Sequence, residues 1–222
     1  DGEIIGVDSR QIYNGIPIGT AQPNLSQLKE VPHHLIGFKK LNERISAGEY
    51  IELIDEKIDE IILKNKSVVL CGGTGLYFKS LKEGIFQGSH TNEDIRNKLE
   101  EEYDIDKEKL FKTLQKIDPE YSNKVHINNK KRLIRALEIY ETTGKPMSKN
   151  FDSLSKNSRY ANDYYFVYLK MNNDLLHPRI LNRIKCMIDD GMINEVEEII
   201  KRKINISPVS YTHLTLPTKA SV

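Results

Sequence analysis

Glu3-Ile4-Ile5-Gly6-Val7-Asp8-Ser9-Arg10-Gln11-Ile12-Tyr13 is the stretch on which the fold turns. Ile4 to Val7 is short, apolar and β-branched, with Gly6 inside it, which predicts a buried strand. It ends by delivering Asp8, Ser9 and Gln11, at the end of a strand where open α/β sheets gather ligand chemistry. A carboxylate, a hydroxyl and an amide within four residues supply a base and two groups able to read a polar substrate. Gly15, Pro17 and Gly19 follow and rule out a long regular element, so a tight loop is expected. The same residues also suit a strand end closed by an Asx-turn, and spacing alone leaves both readings open.

Outward from that strand the pattern is β, α, β. Ser46 to Lys66 carries Tyr50, Leu53, Ile54, Ile58, Ile61 and Ile62 at helical spacing, an amphipathic helix. Ser67-Val68-Val69-Leu70-Cys71 reads as the next buried strand. Gly72-Gly73-Thr74-Gly75 then turns it into a helix over Leu76 to Lys82 that stops near Gly84. Strand, helix and strand with glycines at the switch form a parallel βαβ unit. Glycines let backbone approach a ligand closely, and Thr74 offers a hydroxyl at a helix amino end where anions are favoured. Between these parts, Asn24 to Lys40 is expected to be loop, with Pro23 and Pro32 as breakers. His33-His34 is expected to orient structure or substrate rather than hold a metal.

From His90 the character changes. Thr91-Asn92-Glu93-Asp94 has the form of a capping box opening a charged helix through Tyr103. Asp106 caps another through Ile117, and Asp118-Pro119 starts a third. Asn128 or Asn129 caps a helix over Lys130 to Thr143, closed by Gly144. Its apolar stripe is Leu133, Ala136, Leu137 and Tyr140, with Lys131, Arg132 and Arg135 expected on the opposite side. Cations grouped in this way suit phosphate contacts or a solvated surface paired with glutamates. Lys149 to Asn162 reads as loop. Tyr164 to Leu169 reads as a strand returning to the core, or as a platform on which bases stack. A helix through Asp190 carries Arg179 and Arg183 as i,i+4 neighbours able to clamp a diphosphate or pair with nearby acids. Gly191 ends it, and Met192 to Lys203 forms the last helix. Ser207 to Val222 lacks charge pattern and periodicity and is set aside as a non-native tail.

Composition narrows the class. The chain has 222 residues, 33 basic and 32 acidic, so net charge does not select a nucleic-acid partner and a local patch would have to do so. Cys71 and Cys186 stand far apart, which argues against a disulfide framework or a zinc site. No apolar run spans a bilayer, and a cytoplasmic protein without membrane contact is expected.

Asp8-Ser9-Arg10-Gln11-Ile12-Tyr13 with Ile18-Gly19-Thr20-Ala21 resembles a segment of the tRNA dimethylallyltransferases, also called tRNA isopentenyltransferases. Val31-Pro32-His33-His34-Leu35-Ile36 and Gly72-Gly73-Thr74-Gly75-Leu76-Tyr77 match the same family in family order, and the resemblance extends to about Ile206. The family opens with a strand and a G-x-x-x-x-G-K-[ST] phosphate loop. That pattern does not occur here, so the chain is expected to be truncated at its amino end and marginally stable.

The resemblance implies an α/β fold with a P-loop-NTPase-like parallel sheet, its first strand and phosphate loop missing, and an all-helical insertion. Residues 1–89 would form the first part of the core, 90–163 the tRNA-binding insertion and 164–206 the return to the core, with 207–222 as the tail. It implies transfer of a dimethylallyl group from dimethylallyl diphosphate to N6 of the tRNA adenosine immediately 3′ of the anticodon. Asp8 would be the base and Thr74 a donor to the diphosphate, with Mg2+ as cofactor and no protein metal site assigned. Asp8, Ser9, Arg10, Gln11, Arg96, Lys131, Arg132, Leu133, Ile134 and Arg135 would meet the tRNA anticodon stem-loop. Lys131 stands where the family has glutamine and Asn129 where aspartate is common. A monomer is expected, inactive in this truncated form. An adenylate isopentenyltransferase, a P-loop small-molecule kinase and a non-catalytic RNA-binding fragment remain as alternatives.

Overall fold

The computed structural model describes residues 1–84, 92–149 and 164–202. Its contacts divide the chain into two compact units. One comprises residues 1–45, 49–78 and the described residues from Tyr165 onward; the other comprises 46–48 and the described residues of 79–164.

The first unit holds a parallel sheet. β1 (Gly2–Gly6) pairs with β2 (His33–His34) on one side and β3 (Ser67–Cys71) on the other, giving the order β2-β1-β3. Ile4 stands opposite His33 and Val69, and Ile5 opposite His34 and Leu70. The crossover between β1 and β3 contains α2 (Ala47–Leu63), which buries Tyr50, Ile51, Ile54, Ile58 and Ile61. These spacings of three and four are the helical stripe the sequence predicts. α3 (Gly75–Glu83) follows β3, and Gly84 ends it at φ +86°.

Two expectations fail on the edges of this unit. Asn24–Lys40 is not all loop. α1 (Leu25–Glu30) is nucleated by a capping box in which the Asn24 side chain accepts from Gln27 N and the Gln27 side chain accepts from Asn24 N. β3 is not buried: Ser67, Val69 and Cys71 are exposed and Val68 and Leu70 only partly covered, because β3 is an edge strand among the described residues.

Tyr164–Leu169 is likewise not a strand. It has no ladder, and Tyr165, Val167, Tyr168 and Leu169 are 101%, 82%, 88% and 89% exposed. β-propensity measures fit to a half-buried pleated surface, and without a paired neighbour it does not make a strand. α7 (Asn173–Asp189) and α8 (Met192–Lys201) follow, joined through Gly191 at φ +102°.

In the second unit, α4 (Glu93–Ile117) starts at Asn92, whose side chain accepts from Ile95 N. It breaks at Asp106 (φ −151°, ψ 85°), and the Asp106 carboxylate caps the continuation by accepting from Lys109 N. The two helices expected there therefore meet at the expected residue. α5 (Pro119–Ser122) is capped by Asp118 and α6 (Lys130–Thr143) by Asn129, with Gly144 left-handed at its end. The core of this unit is Leu99, Leu110, Leu114, Val125, Leu133, Ile134, Ala136 and Leu137. Of the loop expected over Lys149 to Asn162, Lys149 is helical instead, and residues 150–162, like Thr91 and the tail at 207–222, lie outside the described residues.

Candidate active site

Asp8 lies two residues beyond β1, and the turn Gly72–Thr74 follows directly on β3, so parallel pairing brings both carboxyl ends side by side. The two are laced by backbone. Val7 N donates to Cys71 O at 2.7 Å and Thr74 N to Val7 O at 3.1 Å. Gly72 is forced: a Cβ there would lie 2.1 Å from the Val7 carbonyl oxygen.

Asp8 uses its two oxygens differently. Oδ1 accepts from Arg10 N at 2.8 Å and Gln11 N at 3.3 Å, which is an Asx-turn. Oδ2 lies over the glycine turn, 3.4 Å from where a Cβ on Gly73 would sit. Oδ1 thus carries the Asx-turn, while Oδ2 stays beside the glycine turn. Thr74 Oγ1 accepts from Ser9 N at 2.9 Å, and a hydroxyl that accepts there keeps its proton to donate. Thr74 O also accepts from Tyr77 N at 3.0 Å, so Thr74 stands at the amino end of α3, where an anion is favoured.

Beneath this turn lies an aromatic floor that sequence patterning does not reveal. Tyr50 is fully buried and its hydroxyl donates to Gly6 O at 2.6 Å. Its ring stacks on Tyr77 with centroids 4.5 Å apart. Burial, with Tyr77 and Asp8 nearby, pushes the Tyr50 phenol well above its ordinary range. Burial, with Tyr13 and Asp8 beside it, pushes Tyr77 up to about 12. Both therefore stay neutral donors at physiological pH. Burial also draws the Arg10 guanidinium below its usual value.

Gln11 is tied to the loop that follows it. Its Nε2 donates to Thr20 O at 3.3 Å and Ala21 O at 2.7 Å, holding the loop that follows. His33 and His34 both bond within the protein. His33 Nδ1 lies 2.7 Å from Val31 O, and His34 Nε2 lies 2.6 Å from Glu3 Oε2. Glu3 also receives Lys66 at 2.9 Å, and the hydrogen bonds from Lys66 and then His34 hold its carboxyl down at about 2.

In the second unit the residues expected at the RNA surface separate into two groups. Lys131 and Arg132 are exposed at the start of α6, beside a shallow hollow lined by His126, Asn128, Asn129 and Lys130. Leu133 and Ile134 are 0% and 2% exposed, so their side chains serve the core and not RNA. Arg135 does not share the open face either: its Nη1 lies 2.9 Å from Glu138 Oε2. Arg96 Nη2 donates to the same oxygen at 2.7 Å, and Asn92 N donates to Oε1 at 3.0 Å. Glu138 is 0% exposed, so it acts as a buried hub tying α4 to α6. Arg179 and Arg183 are exposed on α7, where no residue is buried.

The comparisons decide the family. The family model described as IPP transferase matches residues 11–215, most of the chain. The chain belongs to the IPP transferase family. That match runs into residues 207–215 of the stretch set aside as a tail. The tRNA dimethylallyltransferase of Aquifex aeolicus is 39% identical over 205 residues, covering 90% of this chain and 65% of the relative. That of Bacillus pumilus is 38% identical over 204 residues, covering 90% and 63%. The chain thus spans slightly under two thirds of the curated relatives it matches. Among solved structures, a eukaryotic dimethylallyltransferase acting on tRNA superposes with TM-score 0.80 at 26% identity, covering 93% of this chain and 52% of that one. A full-length tRNA isopentenylpyrophosphate transferase of Bacillus halodurans gives 0.58 at 33% identity, covering 94% and 64%. Like them, this IPP transferase chain has an α/β fold. The parallel strands and switch turn that carry Asp8 and Thr74 are the family's P-loop-like core.

Proposed function

We propose that the whole protein transfers a dimethylallyl group from dimethylallyl diphosphate to N6 of the tRNA adenosine 3′ to the anticodon. The observation that carries this is the convergence of the Asp8 carboxylate and the Thr74 hydroxyl on one switch turn in a chain of this family.

The chemistry follows from the two groups. The N6 lone pair attacks the allylic carbon, the carbon–oxygen bond to diphosphate breaks, and the N6 proton passes to Asp8 Oδ2. An exocyclic aromatic amine is a weak nucleophile, so the base must stand ready as the bond forms. Asp8 is made ready by its turn: two backbone N–H groups fix Oδ1 and leave Oδ2 to face the ligand. Thr74 donates to the leaving diphosphate, with the amino end of α3 behind it. Among the described residues no cluster of three His, Cys, Asp or Glu side chains is placed to cage a metal. Mg2+ would arrive on the diphosphate, the usual mode for this ion, and supply charge neutralisation there. The adenosine must leave its stack to reach Asp8. Lys131 and Arg132 are the exposed cations suited to the phosphates of the stem-loop. The protein would work as a monomer in the cytoplasm, and no helix among the described residues is long and apolar enough to cross a membrane.

The test gives the whole protein labelled dimethylallyl diphosphate and Mg2+ with either unmodified tRNA or free adenylate. Label in tRNA alone supports the proposal. Label in adenylate moves the protein to the free-nucleotide branch, and no label in either refutes prenyl transfer.

A further inference from the structure

Glu195 lies in the first turn of α8, 177 residues from its partners, and no pattern in the sequence singles it out. Its Oε2 accepts from Ile18 N at 2.9 Å and its Oε1 from Gly19 N at 2.9 Å. Two successive backbone N–H groups facing one carboxylate form a small anion nest. The turn they belong to is closed by Thr20 N and Oγ1 donating to Ile16 O, Ala21 N to Ile18 O and Gln22 N to Pro17 O. None of those bonds uses the N–H groups of Ile18 or Gly19, so Glu195 is what satisfies them. A side chain on Gly19 would crowd it, since a Cβ there would lie 3.2 Å from Oε1.

The turn in turn holds the base. Thr20 and Ala21 present their carbonyls to Gln11 Nε2, and Gln11 N donates to Asp8 Oδ1. We infer that Glu195 is a positioning residue: it sets the Ile16–Ala21 turn, which through Gln11 fixes the orientation of Asp8 and so aims Oδ2. This rests on the prenyl-transfer reading for its kinetic consequence, but not for its structural one. Charge-assisted bonds of a carboxylate to two amides are stronger than neutral ones, which gives the arm enough purchase to orient a distant group. Glu195 bonds to the Ile18 and Gly19 amides and not to Asp8, so removing it should disturb aim more than binding.

The experiment uses the whole protein carrying Glu195→Ala, Gln11→Ala or both. Steady-state transfer to tRNA is measured beside hydrogen exchange at the amides of Arg10 and Gln11. Glu195→Ala should lower kcat by roughly ten- to a hundredfold, the scale of a misplaced catalytic group, with KM for dimethylallyl diphosphate nearly unchanged. If the two residues act along one line, the double variant falls no further than the worse single one. Glu195→Gln, which keeps one acceptor, should recover part of the loss. Exchange at Gln11 N should quicken in Glu195→Ala. Multiplying losses, an unchanged kcat or unchanged exchange at Gln11 N would each overturn the inference. If the wild-type protein transfers nothing, the prenyl reading fails while the exchange measurement still decides the role of Glu195.

Discussion

Asp8 satisfies the backbone with one oxygen and leaves the other beside the glycine turn. The Asx-turn on Oδ1 uses only acceptor capacity, which asparagine also has, whereas proton transfer needs the carboxylate. Gly72 is the opposite case, a position with a single permitted residue. In Gly72→Ala the new Cβ meets backbone, which no rotamer can relieve. That variant should lose about 4 kcal/mol or more in urea unfolding, or fail to accumulate as folded protein. Substitution at Gly75, where a Cβ meets nothing within 4 Å, should leave the unfolding midpoint nearly unchanged. Glu3 gives a pH signature. Its carboxyl is held at about 2 in the folded protein against 4.5 ordinarily, so the stability it contributes is complete above pH 4.5. That contribution fades as pH falls from 4.5 through about 2. Unfolding followed across that window should show a loss that is smaller in Glu3→Gln.

At the scale of elements, α4 and α6 are joined by apolar packing and one buried carboxylate. Glu138→Ala leaves two guanidinium groups and the Asn92 N–H without their acceptor. The cost should be about 3 kcal/mol, the low end for a broken buried pair because both arginines retain some contact with water. Thermal or urea unfolding measures it. The same pairing holds Arg96 and Arg135 while Lys131 and Arg132 stay exposed. Removing Lys131 and Arg132 together should weaken tRNA binding and lower the salt slope by about one unit per lost phosphate contact. Removing Arg96 should register mainly as lost stability.

Much of this was legible locally. β1, β3, α2, α3 and α6 follow from periodicity, and the breaks at Asp106 and Gly144 follow from capping chemistry, because each signal lies within a few residues. α1 was hidden by Pro23 and Pro32, although its cap pair Asn24 and Gln27 stands in plain view. Asp8 and Thr74 could be found because each ends a strand whose pattern is clear. Arg135 reads as a surface cation until its acceptor at Glu138 is known, and Arg96 is tied to that acceptor across 42 residues. Glu195 meets its partners across 177 residues, and nothing in a helical pattern announces such a contact.

At the scale of the whole molecule, two units share one chain, one bearing the switch turn and the other the basic start of α6. α7 buries no residue, and Leu175, Leu181 and Leu169 are 63%, 61% and 89% exposed. Apolar surface on that scale binds hydrophobic probes. The 222-residue chain by itself should therefore enhance anilinonaphthalene sulfonate fluorescence without denaturant. In the proposed transfer the Asp8 carboxylate takes the N6 proton. Single-turnover transfer by the whole protein, wild type against Asp8→Asn, with tRNA affinity measured in parallel, tests it most directly. The rate should fall by about a hundredfold or more with tRNA affinity unchanged. Transfer by Asp8→Asn at the wild-type rate would contradict it.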